Sequence, residues 1–215
     1  MEDEKEIKMI LLGNCGVGKT SIISRYIKDE FNADEMTSTG ANYATKRINI
    51  NSKEYILNLW DTAGQERYNS VTKMFIQNAQ IVLLCYSITD KKSFKNLNYW
   101  LKMANDIIGE NNYALGIAGN KADLFLEEEV KESEGIQFAK EHNGLFKLVS
   151  AKESREGIDD YFVELFKKYL DLKNGNINIY NDNDNYKGEG NRDSLKITNV
   201  DNSVKKSKKC CISQN

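Results

Sequence analysis

Along the first 170 positions, apolar residues come in short blocks, each closed by a polar or glycine-containing turn. Ile7 to Leu12, Tyr55 to Trp60, Ile81 to Tyr86, Tyr113 to Ala118 and Leu145 to Val149 are runs of five or six residues, the length of strands rather than of helices. The block Ile81-Val82-Leu83-Leu84-Cys85-Tyr86 is apolar throughout, as suits a parallel strand covered on both faces. Ser93 to Ile108, Lys131 to His142 and Ile158 to Leu170 read as helices, the last with Ile158, Phe162, Leu165, Phe166 and Tyr169 on one face. The polar pair Asn51-Ser52, between Ile48-Asn49-Ile50 and Tyr55-Ile56-Leu57, predicts a hairpin and hence one antiparallel strand. The alternation predicts an α/β fold: a doubly wound, mostly parallel six-stranded sheet with helices on both faces and ligands at the strands' carboxyl edge. No internal repeat is visible. Asp29 to Tyr43 is polar and aperiodic, which predicts a loop.

Composition adds a boundary. The pattern stops near residue 172, dividing the chain into a folded domain, 1–171, and a tail, 172–215, expected to be a disordered tether. The last 44 residues hold ten asparagines and eight basic against five acidic side chains; their charge of +3 leaves −5 on the body of a chain whose net charge is −2. No run reaches the ~18 apolar residues of a membrane helix, and the start, Met-Glu-Asp-Glu-Lys-Glu, lacks both a signal sequence and a myristoylation glycine. A cytosolic protein is expected. The four cysteines do not form a disulfide framework: Cys15 lies in a glycine-rich loop, Cys85 in an apolar strand, and Cys210 and Cys211 are adjacent. The single histidine, His142, near a helix end, is expected at the surface without a catalytic role.

The chemistry lies where strands end. Gly13-Asn14-Cys15-Gly16-Val17-Gly18-Lys19-Thr20 follows the first strand and opens a helix, the setting of a phosphate-binding P-loop. Gly13, Gly16 and Gly18 let successive backbone N–H groups, including those near Cys15, Val17 and Ser21, point at phosphate oxygens. Lys19 is placed to reach the outer phosphates and the Thr20 hydroxyl to hold Mg²⁺. Asp61-Thr62-Ala63-Gly64-Gln65 follows the second run, placing the Asp61 carboxylate opposite Thr20 as a second Mg²⁺ group and the Gly64 N–H at a terminal phosphate. Gln65, with one donor and one acceptor, can orient a water for in-line attack and is the catalytic candidate. Asn120-Lys121-Ala122-Asp123 ends another strand. A carboxylate such as Asp123 accepts from N1–H and the exocyclic amine of guanine, where adenine offers neither, and an unpaired site of that kind can cost ~10⁴ in selectivity. Ser150-Ala151-Lys152, after the last run, can supply a backbone N–H to guanine O6 and a lysine stem across the ring.

Read together, GNCGVGKTS, WDTAGQERY, GNKADL and SAK resemble the Ras superfamily of small GTPases, and within it the Rab family, over about residues 6 to 171. GNKADL with STGANY leans toward the early-endosomal Rab group. The resemblance implies a P-loop NTPase fold binding GTP, GDP and Mg²⁺, and a monomeric switch with no nucleic-acid partner that regulates vesicle traffic. It further implies an exchange factor, a GTPase-activating protein, a GDP dissociation inhibitor or escort protein, and effectors that bind the GTP form. An effector-facing aromatic trio maps to Tyr43, Trp60 and Phe75. No residue identifies itself as an arginine finger, Arg67 reading as a surface residue, so unassisted hydrolysis is expected to be slow. The pair Cys210-Cys211 looks like the Rab pattern of double geranylgeranylation; a simple prenylation box needs its cysteine at position 212, which is Ile212. Lys205, Lys206, Lys208 and Lys209 precede the pair and suit an anionic leaflet on the cytosolic face of endomembranes. Unmodified, redox-inert thiols are the other reading of that pair.

The sequence departs from the family in its first switch loop. Counting without gaps from Lys19-Thr20 puts Ser38 where a threonine usually contacts Mg²⁺ and the γ-phosphate, and Thr39 where isoleucine is usual. Ser38 keeps the hydroxyl; Thr37 or Thr39 in a shifted register is the alternative. Two other function classes stay open at this point. One is an adaptor that binds GTP but scarcely hydrolyses it. The other is a P-loop ATPase or small-molecule kinase, which Asn120 to Asp123 disfavour.

Overall fold

The structure is a computed structural model that describes residues 5–32, 42–50, 52–62 and 69–175. Six strands form one sheet: β1 (Lys5–Leu12), β2 (Asn42–Ile50), β3 (Lys53–Asp61), β4 (Ile81–Ser87), β5 (Ala114–Asn120) and β6 (Leu145–Leu148). Their order is β2-β3-β1-β4-β5-β6, with β2 antiparallel to β3 and every other pairing parallel. The expected fold class is therefore observed. Helices α1 (Lys19–Lys28), α2 (Asn69–Ile76), α3 (Lys91–Lys95), α4 (Leu97–Ile108), α5 (Glu132–Glu141) and α6 (Glu156–Lys173) complete it.

Strand alternation divides the core in two. Met9 and Leu11 of β1 face a cluster with α1 and α6, built on Ile22, Tyr26, Phe162 and Phe166, while Ile10 and Leu12 face a second cluster with Trp100, Ala104 and Phe138. All seven residues of β4 are buried, as its unbroken apolar sequence requires.

Three elements differ from the sequence expectation. The helix expected over 93–108 is two helices. Asp90 caps the first by accepting from the N–H groups of Lys92 (2.9 Å) and Ser93 (3.1 Å), a cap typically worth ~1 kcal/mol, so α3 starts at Lys91. Asn96, at φ −74° and ψ −6°, makes the joint to α4. Strand β2 begins at Asn42, six residues before the apolar run that announced it, and α6 continues to Lys173, past the boundary drawn at 171. His142 is half-buried rather than solvated, its ring packed on Phe138 at 4.6 Å.

Candidate functional site at the carboxyl edge of the sheet

The carboxyl ends of β1, β3, β5 and β6, with the described residues that follow them, meet at one edge. The first loop turns from β1 into α1 through two glycines that no other residue replaces. Gly13 has φ +148°, and a Cβ there would lie 2.2 Å from the Cys85 carbonyl oxygen; Gly18, at φ +93°, would put its Cβ 2.3 Å from the Asn120 side-chain nitrogen. Lys19 is buried and folds back over the loop, its Nζ donating to the carbonyls of Gly13 and Asn14, both at 2.9 Å. Burial lowers the pKa of this ammonium, and the Asp61 carboxylate opposes that shift.

The Thr20 hydroxyl donates to Asp61 Oδ2 at 2.6 Å, and the neighbouring Thr62 hydroxyl donates to the Leu11 carbonyl at 2.7 Å, holding the end of β3 against β1. Thr20 and Asp61 thus present adjacent hard oxygens beside a lysine-lined glycine loop. That donor set fits Mg²⁺.

Asn120, 2% exposed, is the knot of the site. Its Nδ2 donates to the Val17 carbonyl at 2.8 Å, and its Oδ1 accepts from the Ala151 N–H at 3.3 Å, so one side chain holds the P-loop to the β5 and β6 loops. Lys121 follows in the left-handed region at φ +65°, a conformation that lysine rarely adopts. Asp123 accepts from the Ser150 hydroxyl at 2.6 Å and has the Lys152 ammonium 3.9 Å away. The sequence reading gave Ser150 only a backbone role; its hydroxyl also orients the carboxylate.

Two further contacts were not legible in the sequence. Asn14 Oδ1 accepts from Trp100 Nε1 (3.1 Å) and Asn96 Nδ2 (3.2 Å), fastening the crown of the P-loop to α4. Arg25 of α1 donates to the carbonyls of Ala151 (2.8 Å) and Lys152 (2.9 Å). Asn96 and Trp100 stand one helical turn apart, a spacing that says nothing of a partner more than 80 residues away.

Of the residues singled out for nucleotide and metal, Gly13, Cys15, Gly16, Val17, Gly18, Lys19, Thr20, Ser21, Asp61, Asn120, Lys121, Asp123, Ser150, Ala151 and Lys152 lie at these four strand ends or open the helix that follows the first. Cys15 is exposed, whereas Cys85 is buried, its thiol pushed up to about 12 by burial. Ser38, Gly64 and Gln65 lie outside the described residues, as do Lys205, Lys206, Lys208, Lys209, Cys210 and Cys211. The aromatic trio is brought together: Tyr43 packs on Trp60 at 5.0 Å, and Trp60 on Phe75 at 5.2 Å. All three rings are half-buried, with Lys8 Nζ 4.8 Å over Trp60 and the Tyr43 hydroxyl donating to Asn58. No helix among the described residues is long and apolar enough to cross a membrane.

A mixed sheet of this order, with a glycine loop leading from its central strand into a helix, has the architecture of a Ras-like P-loop GTPase. The chain belongs to the Ras family, whose sequence model matches residues 8–171, and within that family it is a Rab small GTPase, a GTP hydrolase. It is 40% identical to Ras-related protein Rab-11B of Dictyostelium discoideum, over 74% of this chain and 71% of that one. It is 35% identical to Ras-related protein Rab-13 of Bos taurus, over 82% and 85%. With Ras-related protein Rab-21 of Homo sapiens it shares 36%, over 76% and 72%.

Proposed function

We propose that this Rab is a GTP/GDP-switched regulator of vesicle-mediated membrane traffic, that it hydrolyses GTP slowly, and that it recruits effectors while GTP is bound. The observation that carries the reading is the convergence of Lys19, the Thr20–Asp61 pair and the Asn120–Asp123–Ser150 cluster on one edge of the sheet. Backbone N–H groups of Gly13 to Thr20, with Lys19, bind the phosphates. Asp123, oriented by Ser150, accepts from guanine, and Lys121 and Lys152 flank the base. Thr20 and Asp61, with Ser38, would hold Mg²⁺, which supplies neutralisation of phosphate charge. Gln65 orients the attacking water, and Gly64 donates to the terminal phosphate.

Without an arginine finger in the chain, hydrolysis runs at ~10⁻⁴ s⁻¹, the scale of unassisted relatives, until an activating protein supplies the missing charge. The same reading assigns residues 1–171 to the GTPase domain and 172–215 to a tether. Cys210 and Cys211 carry prenyl groups, and Lys205, Lys206, Lys208 and Lys209 add attraction to the cytosolic face of an endomembrane. Tyr43, Trp60 and Phe75 form the effector surface. Exchange and activating proteins, with a dissociation inhibitor or escort, complete the cycle of a monomer. GNKADL and STGANY favour endocytic traffic.

Single-turnover hydrolysis of GTP loaded on the purified full chain, with Mg²⁺ and excess ATP, tests the reading. Slow GDP formation that ignores ATP and falls in Gln65→Leu is expected. GTP intact for many hours in both proteins overturns the hydrolytic part and favours the adaptor reading. Ser38, where the family usually has threonine, is the residue that motivates it.

A further inference from the structure

At the opposite edge of the sheet, where β1 begins and α6 ends, Lys5, Ile7, Lys53, Tyr55, Tyr169 and Lys173 surround a hollow of about 230 Å³. Strand alternation explains its charge. Lys5 stands beside Tyr55 in the parallel pairing of β1 with β3, and the odd-numbered residues of both strands, Lys5, Ile7, Lys53 and Tyr55, share the face that α6 covers. The intervening carboxylates fall on the other face and are engaged there: Glu6 accepts from Asn58 at 3.0 Å, and Glu54 lies 3.5 Å from Arg47. Among the described residues no carboxylate lines the hollow, and no ion pair engages Lys5, Lys53 or Lys173. Three exposed lysines therefore line one hollow together with Tyr55 and Tyr169, Lys173 Nζ standing 6.0 Å over the Tyr169 ring, on a body whose net charge is −5.

We propose that this hollow binds the phosphate monoester of an anionic lipid headgroup, and so sets how the body sits on its membrane. The choice of a lipid as the source of the phosphate and the orienting role both rest on the lipid-anchor reading above; the anion-binding hollow itself does not. A phosphate monoester carries a charge of about −1.5 to −2 at neutral pH, which matches converging cations better than a singly charged headgroup does. The volume lies below the ~300–1,000 Å³ of sites for drug-sized ligands, and suits one headgroup at an open mouth. The lipid source is favoured by where the chain leaves the body. Asn174 lines the hollow, and Gly175, in the left-handed region at φ +71°, ends the described chain beside it. From there 34 residues lead to Cys210; on the tether reading above, a chain of that length reaches roughly 30–35 Å root-mean-square. An anchor at that distance holds the hollow at high effective concentration over the leaflet, so even a weak site fills. The nucleotide edge, one strand length or ~26 Å away, then faces the cytosol.

The test uses the GDP-loaded, unlipidated full chain, with its tail lysines intact, and phosphatidylcholine vesicles with or without phosphatidylinositol monophosphate. Binding is measured by co-sedimentation for the wild type, for the triple variant Lys5→Gln, Lys53→Gln, Lys173→Gln, and for a control of equal charge change, Lys92→Gln, Lys95→Gln, Lys102→Gln on α3 and α4. Retained GDP shows that each variant is folded. At ~1 kcal/mol per lysine near an anionic surface, the hollow variant should bind at least ~10-fold more weakly and the control should change little. Equal losses in both variants, or none in the hollow variant, overturn the proposal. So does full competition by inorganic phosphate at the concentration of accessible lipid, which assigns the site to free phosphate. Prenylation plays no part in this assay, so a failed anchor shows only in cells, as membrane association unchanged by Cys210→Ser with Cys211→Ser.

Discussion

Asn120 joins three loops with one amide, and separating its two ends separates two functions. Asn120→Asp keeps an acceptor for the Ala151 N–H but faces the Val17 carbonyl with a second oxygen in place of the donor at 2.8 Å. Asn120→Ala removes both bonds. A buried polar group left unpaired costs ~1–3 kcal/mol, so the alanine variant stands to lose ~2–6 kcal/mol against a total stability of ~5–15 kcal/mol. The aspartate variant loses the P-loop share and adds oxygen–oxygen repulsion. Bound nucleotide stabilises only the folded state, so part of each loss appears as weaker binding. If ~1.4–2.8 kcal/mol does, release accelerates ~10- to 100-fold. The assays are release of fluorescent GDP chased by unlabelled GDP, and urea unfolding with GDP saturating. Fast release and a lower urea midpoint than wild type are expected in both variants, the aspartate adding the cost of a buried carboxylate beside the Val17 carbonyl. An aspartate variant that releases GDP and unfolds like the wild type refutes the argument, because the Val17 bond would then carry nothing.

Three other predictions concern Gly18, Trp100 and Lys168. Gly18→Ala needs both a positive φ and the space of Asn120 Nδ2, 2.3 Å away, so its nucleotide release should accelerate more than that of Gly16→Ala, whose Cβ meets nothing within 4 Å. Trp100→Phe deletes the N–H donated to Asn14 while leaving a ring in the core; a loss of ~0.5–1.5 kcal/mol should appear in urea unfolding, with faster GDP release if the crown of the P-loop loosens. Burial lowers the Lys168 ammonium to about 8 from an ordinary 10.5. Between those values the unfolded chain binds more protons than the folded one, so this group's contribution to stability rises with pH. The stability gap between wild type and Lys168→Met, followed by thermal unfolding, should therefore shift in favour of the wild type from pH 7 to pH 10; a gap independent of pH counts against it.

The centre of the sheet was legible because β4 and β5 are buried along their whole length, and that writes itself as unbroken apolar runs. Strand β2 was only half visible for a physical reason. Its core-facing positions are Ala44, Lys46, Ile48 and Ile50, and the lysine breaks the alternation. Lys46 is accommodated by donating to the Tyr26 carbonyl at 2.9 Å, standing 3.7 Å over the Tyr26 ring and pairing with Asp159, none of which a local pattern reveals. The start of α3 at Lys91 was missed although Asp90, a good cap, stands just before it, and nothing local announces the break at Asn96. At the site, the described residues carried by motifs lie at the strand ends, while Gly64 and Gln65 fall outside the described residues. The side chains that brace those loops, Asn14, Trp100 and Arg25, belong to no motif, and their partners are distant in sequence.

The nucleotide edge is stitched from both ends of the domain, and this bears on how the protein is made. Gly13 leaves the ribosome 137 residues before Ser150, which at ~5–20 residues per second is a wait of ~7–27 s. β3 and β4 take their places beside β1 early in that interval, but the Arg25 clamp has no carbonyls to hold and the Asn120 amide lacks the Ala151 N–H until its end. The nascent chain cannot use nucleotide as a template for its early folding; the ligand arrives as a lock on a nearly finished structure.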